Sequence, residues 1–438
     1  MNIKKSAIKI IKRLQKNGYQ AVFAGGAIRD MLLGKTPHDY DIATSATPDQ
    51  VEALFKYTKS VGKAFGVILI RVNGVDFEVA TFRSDGDYTD GRRPNSVTFS
   101  TMEEDAKRRD FTCNALFYDP IADKIYDFVG GQDDIKNKIL RFVGNPDDRI
   151  DEDKLRILRF IRFAIKLEFP TVDFLSYTAV RGNGINIKQI APERIREEIV
   201  KCLEYRHPHS FLHLLIDTHI LWYIFPDIAM LENEEQDPKW HPEGNALIHT
   251  FRALELVRDE SYIIKLATLF HDVGKPATHK VVDGRITTRG HHKVGADITR
   301  KALEELRFSN EEIEHICWLV YNHMVNPIKL KTSKLKKLLA HPYIEDLIKV
   351  MRADKASSHG DTSHADFLEK KLNEWTPEEI KPSPLVTGHD LIELGFKPGP
   401  LFKEILNEVV DLQLENKINN KEEAIGHIKR KFQTNMSI

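Results

Sequence analysis

Across residues 1–145 the apolar positions come in short runs of strand length separated by helical stretches. Ala21–Ala24 is a continuous apolar run, and His38–Ala43 alternates polar with apolar as a half-buried strand does. Val67–Val72 and Val75–Phe82 flank Asn73-Gly74, a pair suited to a two-residue hairpin turn. At the N-terminus Ile3, Ile8, Ile11 and Leu14 stand among lysines at helical spacing, which predicts a surface helix. A targeting presequence is the rival reading, but no long apolar stretch or small-residue cleavage site follows. Strand signals largely stop after Arg141–Val143. From Asp151 to Leu231 apolar residues recur three and four apart, the helical period. The charged segment Glu232–Lys239, with Pro238 near its end, predicts a boundary. A second helical block, rich in histidine, runs from Trp240 to Asp366. Trp375–Pro384 reads as a linker, and Leu385–Phe432 as a segment containing Gly395, Pro398, Gly399 and Pro400 followed by one or two amphipathic helices. The pattern predicts an α+β first part and an all-α remainder.

At 438 residues two to four domains are expected, and the 41% apolar share is ordinary for a chain with real cores. No window approaches the roughly 20 apolar residues of a membrane span, so no membrane partner and a cytoplasmic location are expected. The net charge of −1 does not advertise nucleic acid, which would have to be bound by local basic patches. Cys113, Cys202 and Cys317 form no CxxC, so neither a zinc ribbon nor a disulfide framework is suggested. Nothing in the pattern speaks to oligomeric state.

Gly25-Gly26 falls between a predicted strand and a predicted helix, where bare backbone N–H groups can meet a phosphate; a plain tight turn is the commoner explanation. Asp39-Tyr40-Asp41 is more informative. Residues i and i+2 of a strand share a face, so two carboxylates point one way and repel. A divalent ion with oxygen ligands resolves that conflict, and an exposed strand face is the alternative of equal weight.

The run Gly25–Thr44 resembles the signature of the class II tRNA nucleotidyltransferase and bacterial poly(A) polymerase superfamily, built on the DNA polymerase beta-like nucleotidyltransferase fold. His38 departs from it, since many members carry Lys there. The resemblance implies that Asp39 and Asp41 are catalytic and hold two Mg²⁺ ions, one for the RNA 3′-hydroxyl and one for the triphosphate. Glu78 is either an accessory carboxylate or a partner of Arg83 or Arg29. Arg108-Arg109-Asp110-Phe111-Thr112-Cys113-Asn114 resembles the family's ribose-recognition motif. It implies triphosphate contacts from Arg108 and Arg109, a 2′-hydroxyl contact from Asp110, and nucleotide contacts from Asn114, Gly25, Gly26 and Arg29. Asp85–Pro94 resembles the flexible loop needed for adding the terminal A. Glu152-Asp153-Lys154-Leu155-Arg156 resembles the motif that reads the incoming base. Asp153 and Arg156, three apart, are expected on one helix face, where an ordinary intrahelical ion pair is the plain alternative. Arg159 and Arg162 are expected to extend that face as nucleotide contacts. Glu193–Glu198 resembles the motif bracing the neck helices and is expected to be structural.

The second half carries His249, His271-Asp272 and Asp354, an order similar to that of HD phosphohydrolases. A lone histidine is usually structural, but an adjacent His-Asp with ordered partners suits a divalent transition metal or Mg²⁺. His291 and His323 are candidates for a second ion or a substrate phosphate. Gly290–Ala296, Ala353-Asp354 and the tail from Gly388 to Pro400 resemble CCA-adding enzymes with a fused HD domain. The implied organisation is a nucleotidyltransferase head (1–145, mixed sheet with helices), a helical neck (146–232), an HD domain (233–375) and a helical tail (385–438). The implied activity is addition of CCA to the 3′ end of tRNA from CTP and ATP, with release of pyrophosphate. Alternatives are an enzyme that adds only the terminal A and a poly(A) polymerase, although the strongly basic C-terminal extension usual in the latter is missing. A non-catalytic RNA-binding protein is disfavoured by the intact Asp39 and Asp41.

Overall fold

In the computed structural model, which describes residues 3–86, 96–237 and 244–433, the chain divides into two units, Met1–Pro226 and Asp227–Ile438. The first unit contains β1 (Ala21–Ala24), β2 (Asp41–Thr44), β3 (Thr58–Gly62), β4 (Val67–Val72), β5 (Val75–Thr81), β6 (Arg83–Asp85), β7 (Val97–Phe99), β8 (Phe117–Asp119) and β9 (Lys124–Tyr126). Seven of these form one sheet in the order β3-β4-β5-β2-β1-β8-β9. Only β2 and β5 pair parallel; the other neighbours are antiparallel. Asn73 (φ 53°) and Gly74 (φ 81°) both adopt the left-handed conformation that a tight hairpin of this twist requires, and Val72 pairs with Val75 across it. The central strand β1 is buried along its length, with Val22 and Ala24 packed among Phe82, Phe117 and Val143. The helix Ile3–Lys16 buries Ala7, Ile10, Ile11 and Leu14, so Ile3 stays outside the apolar face expected of it.

The helical region begins earlier than periodicity suggests, at Pro146, where Asn145 accepts from the Asp147 N–H and caps the turn. That helix, Pro146–Glu152, stops because Asp153 is extended (φ −141°, ψ 104°). The chain turns helical again over Arg156–Leu167, and the Asp153 side chain accepts from the Leu155 N–H at 3.0 Å. Strands β3, β8 and β9 are short and partly polar, and the apolar pattern does not reveal them.

In the second unit the helices Ala246–Leu256, Tyr262–Phe270, His291–Glu305, Asn310–Asn322 and Ile344–Ala356 bury Leu254, Leu266, Leu269, Leu303, Leu319 and Val350. A two-stranded hairpin, Lys280–Val282 with Arg285–Thr287, interrupts what the pattern predicted as all helical. The expected linker holds a short helix, Pro377–Ile380, closed by a Thr376–Glu379 capping box. In the tail a short helix, Gly388–Glu393, precedes Pro400, and among the described residues two α-helices follow as expected, Pro400–Leu414 and Lys421–Ile428, around Leu391, Phe396, Ile405 and Val409. No helix among the described residues is long and apolar enough to cross a membrane.

Candidate nucleotide and metal sites

Ala24 at the end of β1 pairs with Asp41 at the start of β2, so Gly25 emerges beside the carboxylates. Gly25 has φ 67°, a conformation that favours glycine, and a Cβ there would lie 3.0 Å from Arg109 Nη1. Asp39 lies just before β2, which starts at Asp41 and not at the expected His38; with Asp41 and Glu78 it lines one cleft of about 690 Å³. Parallel pairing sets Ile42 against Val79, which brings Glu78 level with Asp41. The cleft walls strip water from the Asp41 carboxyl and raise its pKa to about 6; Glu78 and then Asp39 push the same way, and Arg109 opposes them. Three crowded carboxylates with one proton partly retained are the electrostatic conflict that a divalent cation removes, so the donor set fits such an ion.

Cationic side chains line the same cleft. Arg29 is buried, donates to Asp30 Oδ1 from Nε at 2.9 Å, and also reaches Asn114 Oδ1. One buried carboxylate, Asp105, organises the next two arginines. Arg108 donates to its Oδ1 from Nε (2.9 Å) and Nη2 (2.7 Å), and Arg109 to its Oδ2 from Nε (3.2 Å) and Nη2 (3.0 Å). Burial alone would raise the Asp105 pKa, but Arg109 and Arg108 outweigh it and hold the carboxyl below its ordinary value. Asp110 accepts from Arg159 Nε (3.0 Å), from Asn114 Nδ2 (3.2 Å) and from its neighbour's N–H (2.8 Å). Despite burial, Arg159 leads the interactions that keep its pKa low, so it is an ionised acceptor facing the cleft.

Asp153 and Arg156 also line the cleft, but not as a pair. The helix break between them puts them on different elements. The Asp153 carboxylate is held by Arg194 through Nη1 (3.1 Å) and Nη2 (2.8 Å). The Arg156 guanidinium binds Glu152 and donates to the carbonyls of Arg149 (2.8 Å) and Arg108 (3.1 Å). The intrahelical ion pair is therefore not formed. Arg194, expected to brace helices, is a cleft residue that fixes Asp153. Arg162 is corrected the other way: it does not line the cleft but is buried against Glu198 with Nε donating at 2.5 Å. Six residues carry it about 240° around the helix from Arg156. Arg156, Arg159, Phe163 and Lys166, spaced three, four and three, form the stripe that does face the cleft. The loop expected over Asp85–Pro94 falls largely on residues 87–95, outside the described residues.

The second unit buries the predicted ligands His249, His271 and Asp272 in one group and the candidates His291 and His323 in a second, the two sharing Asp272, with Asp354 beside His249. His249 Nε2 lies 3.2 Å from His271 Nε2, and His291 Nε2 lies 3.2 Å from His323 Nε2. Asp272 approaches both pairs, with Oδ2 3.3 Å from His271 and Oδ1 3.4 Å from His291; Asp354 Oδ1 is 3.2 Å from His249. The outer nitrogens fix the tautomers. Nδ1–H of His271, His291 and His323 donates to the carbonyls of Thr268 (2.6 Å), Thr288 (2.9 Å) and Val320 (2.7 Å), so each Nε2 presents a lone pair inward. Burial keeps His291 and His323 neutral by lowering their pKa values. Lys275 Nζ stands 2.6 Å from Asp272 Oδ2, and Lys355 Nζ 2.9 Å from Asp354 Oδ2, which favours the ionised carboxylates. Converging lone pairs and two ionised carboxylates repel unless a cation lies between them, so these residues fit metal. Gly274 lets the helix His291–Glu305 come close; a Cβ on it would stand 2.2 Å from the His291 carbonyl oxygen. An adjoining pocket of about 510 Å³ is lined by Lys275, Arg289 and Lys355.

A mixed sheet that sets a glycine turn and paired aspartates against an arginine wall defines the nucleotidyltransferase head class, and residues 21–141 match the family model "Poly A polymerase head domain". Residues 172–231 match "Probable RNA and SrmB- binding site of polymerase A", and residues 292–428 match a model for "tRNA nucleotidyltransferase domain 2". The chain belongs to the CCA-adding enzyme family. It is 32% identical over 434 residues to the CCA-adding enzyme of Ligilactobacillus salivarius, covering 97% of this chain and 96% of that one. With the CCA-adding enzyme of Levilactobacillus brevis it shares 30% identity over 433 residues, 95% of each chain. The crystal structure of the Bacillus stearothermophilus CCA-adding enzyme in complex with CTP superposes with a TM-score of 0.74 at 26% identity, over 100% of both chains.

Proposed function

We propose that this protein adds CCA to the 3′ end of tRNA from CTP and ATP, releasing pyrophosphate, in the cleft of its first unit. The observation that carries the reading is the gathering of Asp39, Asp41 and Glu78 with Arg108, Arg109 and Asp110 around one cleft. In the reaction the RNA 3′-oxygen forms a bond to the α-phosphorus while the bond to pyrophosphate breaks. Mg²⁺, when bound, stabilises charge on the attacking and leaving oxygens. Asp39 and Asp41 would hold it, with Glu78 as a third carboxylate. Arg108 and Arg109, aligned by Asp105, donate to the triphosphate, and Asp110 accepts from the ribose 2′-hydroxyl. Asp153 and Arg156 read the base. Cytosine and adenine each present an amino donor beside an unprotonated ring nitrogen, which an acceptor-only Asp and a donor-only Arg complement; uracil and guanine present the reverse. The test is extension of tRNA lacking CCA, tRNA ending in C and tRNA ending in CC, each with labelled CTP or ATP. Addition of A alone, only to tRNA ending in CC, would assign the A-adding alternative, and long A tails a poly(A) polymerase.

The cluster His249, His271, Asp272, Asp354, with His291 and His323, supports a second reading: an HD-type, metal-dependent phosphohydrolase centre in residues 233–375. Lys275, Arg289 and Lys355 supply cations for a phosphate at its mouth. Metal analysis of the purified protein, with hydrolysis of phosphomonoesters and cyclic phosphates under Mn²⁺, Ni²⁺ or Mg²⁺, tests it. A protein that binds none of these ions beyond its head site would remove this reading.

A further inference from the structure

Three of the histidines clustered in the second unit, His271, His291 and His323, turn their Nδ1–H to a main-chain carbonyl. At His249 the Nδ1 atom lies 3.2 Å from a side chain, the hydroxyl of Ser357. Both residues are buried: His249 in the helix Ala246–Leu256, and Ser357, 5% exposed, at the end of the helix Ile344–Ala356.

A serine hydroxyl has a single proton to donate and lone pairs with which to accept. Ser357 Oγ donates that proton to the Asp354 carbonyl at 2.8 Å, in the last turn of its helix, where carbonyls lack intrahelical donors. Its lone pairs then face His249. A bare Nδ1 would set lone pair against lone pair, so the ring proton belongs on Nδ1 and Nε2 is left bare. That Nε2 lies 3.2 Å from His271 Nε2 and 3.2 Å from Asp354 Oδ1. The opposite tautomer would place an N–H there, donating to the Asp354 carboxylate and closing the position to a cation. Resting on the metal-centre reading above, we infer that Ser357 is a positioning residue, which holds His249 in the Nδ1–H tautomer and keeps its Nε2 lone pair free for the ion. Because the same hydroxyl is anchored on Asp354, it ties two of the proposed ligands together. Helix capping is the plain alternative, and it makes no demand on the His249 ring.

The test uses the full chain with ¹⁵N-labelled histidine, first stripped of metal, since protonated and bare ring nitrogens differ widely in ¹⁵N shift. The His249 signals are assigned by their loss in His249→Gln, and the wild type is expected to carry the proton on Nδ1. In Ser357→Ala the Nδ1–H loses its acceptor, and the proton should move to Nε2, towards Asp354. Affinity for Zn²⁺, read on the same nitrogens in a chelator-buffered series, should then fall about tenfold or more, as it does when a ligating histidine loses its outer partner. Ser357→Thr keeps the hydroxyl and should restore both the tautomer and the affinity. Unchanged shifts of His271, His291 and His323 in metal-free Ser357→Ala would show that the fold is intact. A wild-type His249 protonated on Nε2 would overturn the inference. So would a Ser357→Ala protein with the wild-type tautomer and Zn²⁺ affinity within about twofold, which would leave helix capping as the whole role of Ser357. Wild-type ring nitrogens that ignore Zn²⁺ would instead sink the metal-centre reading, while the tautomer, read without metal, would still decide what Ser357 does.

Discussion

Asp105→Asn replaces one oxygen of a carboxylate that accepts from two arginines and from the backbone N–H of Arg83 at 3.3 Å. The amide oxygen can keep the contacts of Arg108 and Arg83, but the amide nitrogen cannot accept from Arg109. Two charge-assisted hydrogen bonds are lost, each worth about 1.5–3 kcal/mol. The Arg109 side chain is 20% exposed, so water recovers part of this, and a net loss of about 2–4 kcal/mol is expected. For a unit of this size that is a drop in Tm of about 6–12 °C at the middle of the range. The sign with pH follows from the lowered pKa of Asp105. Its stabilisation is complete above the unfolded value near 4 and disappears as pH falls through the lower folded value, so the gap between variant and wild type should close only in strong acid. To report on the first unit alone, the measurement is hydrogen exchange of the 97–119 segment in urea, paired with KM for CTP on tRNA lacking CCA. KM should rise about tenfold as Arg109 loses its alignment. A variant within 0.5 kcal/mol of wild type (roughly the scatter of neutral surface changes) and with unchanged KM would refute the view that Asp105 organises this wall.

Asp39→Asn and Asp41→Asn should each lower nucleotide addition by about 10³-fold or more while tRNA binding by filter assay stays within twofold; retained addition would reject the site. Glu78→Gln should bring the Asp41 pKa down from about 6, read from carboxyl ¹³C shifts of the metal-free protein, because Glu78 is the strongest charge raising it. Asp272→Asn should reduce divalent-metal content and any phosphatase activity of the second unit while CCA addition persists, and loss of addition in a folded variant would show the sites to be coupled. Gly274→Ala should do the same by a different route, since its Cβ would meet the His291 carbonyl oxygen at 2.2 Å and force Asp272 and His291 apart.

What could be read from the sequence depended on how local the determinant was. β1, the Asn73-Gly74 hairpin and the head motifs were legible because a contiguous run of residues fixes each. The metal-type residues of the second unit were found through residue type and order, and the fold gathers five of them in two groups that share Asp272, with Asp354 3.2 Å from His249. Asp105 was missed because it reads as one more acid in the first turn of a helix, where such residues are common. Its role arises only when Arg108 and Arg109 curl back over it. Arg162 was misplaced because a three-residue step from Arg159 was continued without the drift of the helix; the three-four-three stripe through Phe163 to Lys166 was the better signal. β3, β8 and β9 are partly polar edge or near-edge strands, for which alternation is weak.

The break at Asp153 changes how the proposed base reading works. On one continuous helix, Asp153 and Arg156 would satisfy each other and offer a nucleotide little. Separated, each is held by third parties: Asp153 by Arg194 and the Leu155 N–H, Arg156 by Glu152 and two carbonyls. A carboxylate has about four acceptor positions and a guanidinium five donors, so these contacts leave roughly one acceptor on Asp153 and two donors on Arg156. That remainder suits one amino group and one unprotonated ring nitrogen. Neither side chain can swing to suit a carbonyl beside a ring N–H without abandoning its own partners, and a mismatched base would leave buried groups unpaired on both sides. Selectivity in this reading comes less from the two residues that face the base than from Arg194 and Glu152 behind them, which prevent the pair from adapting.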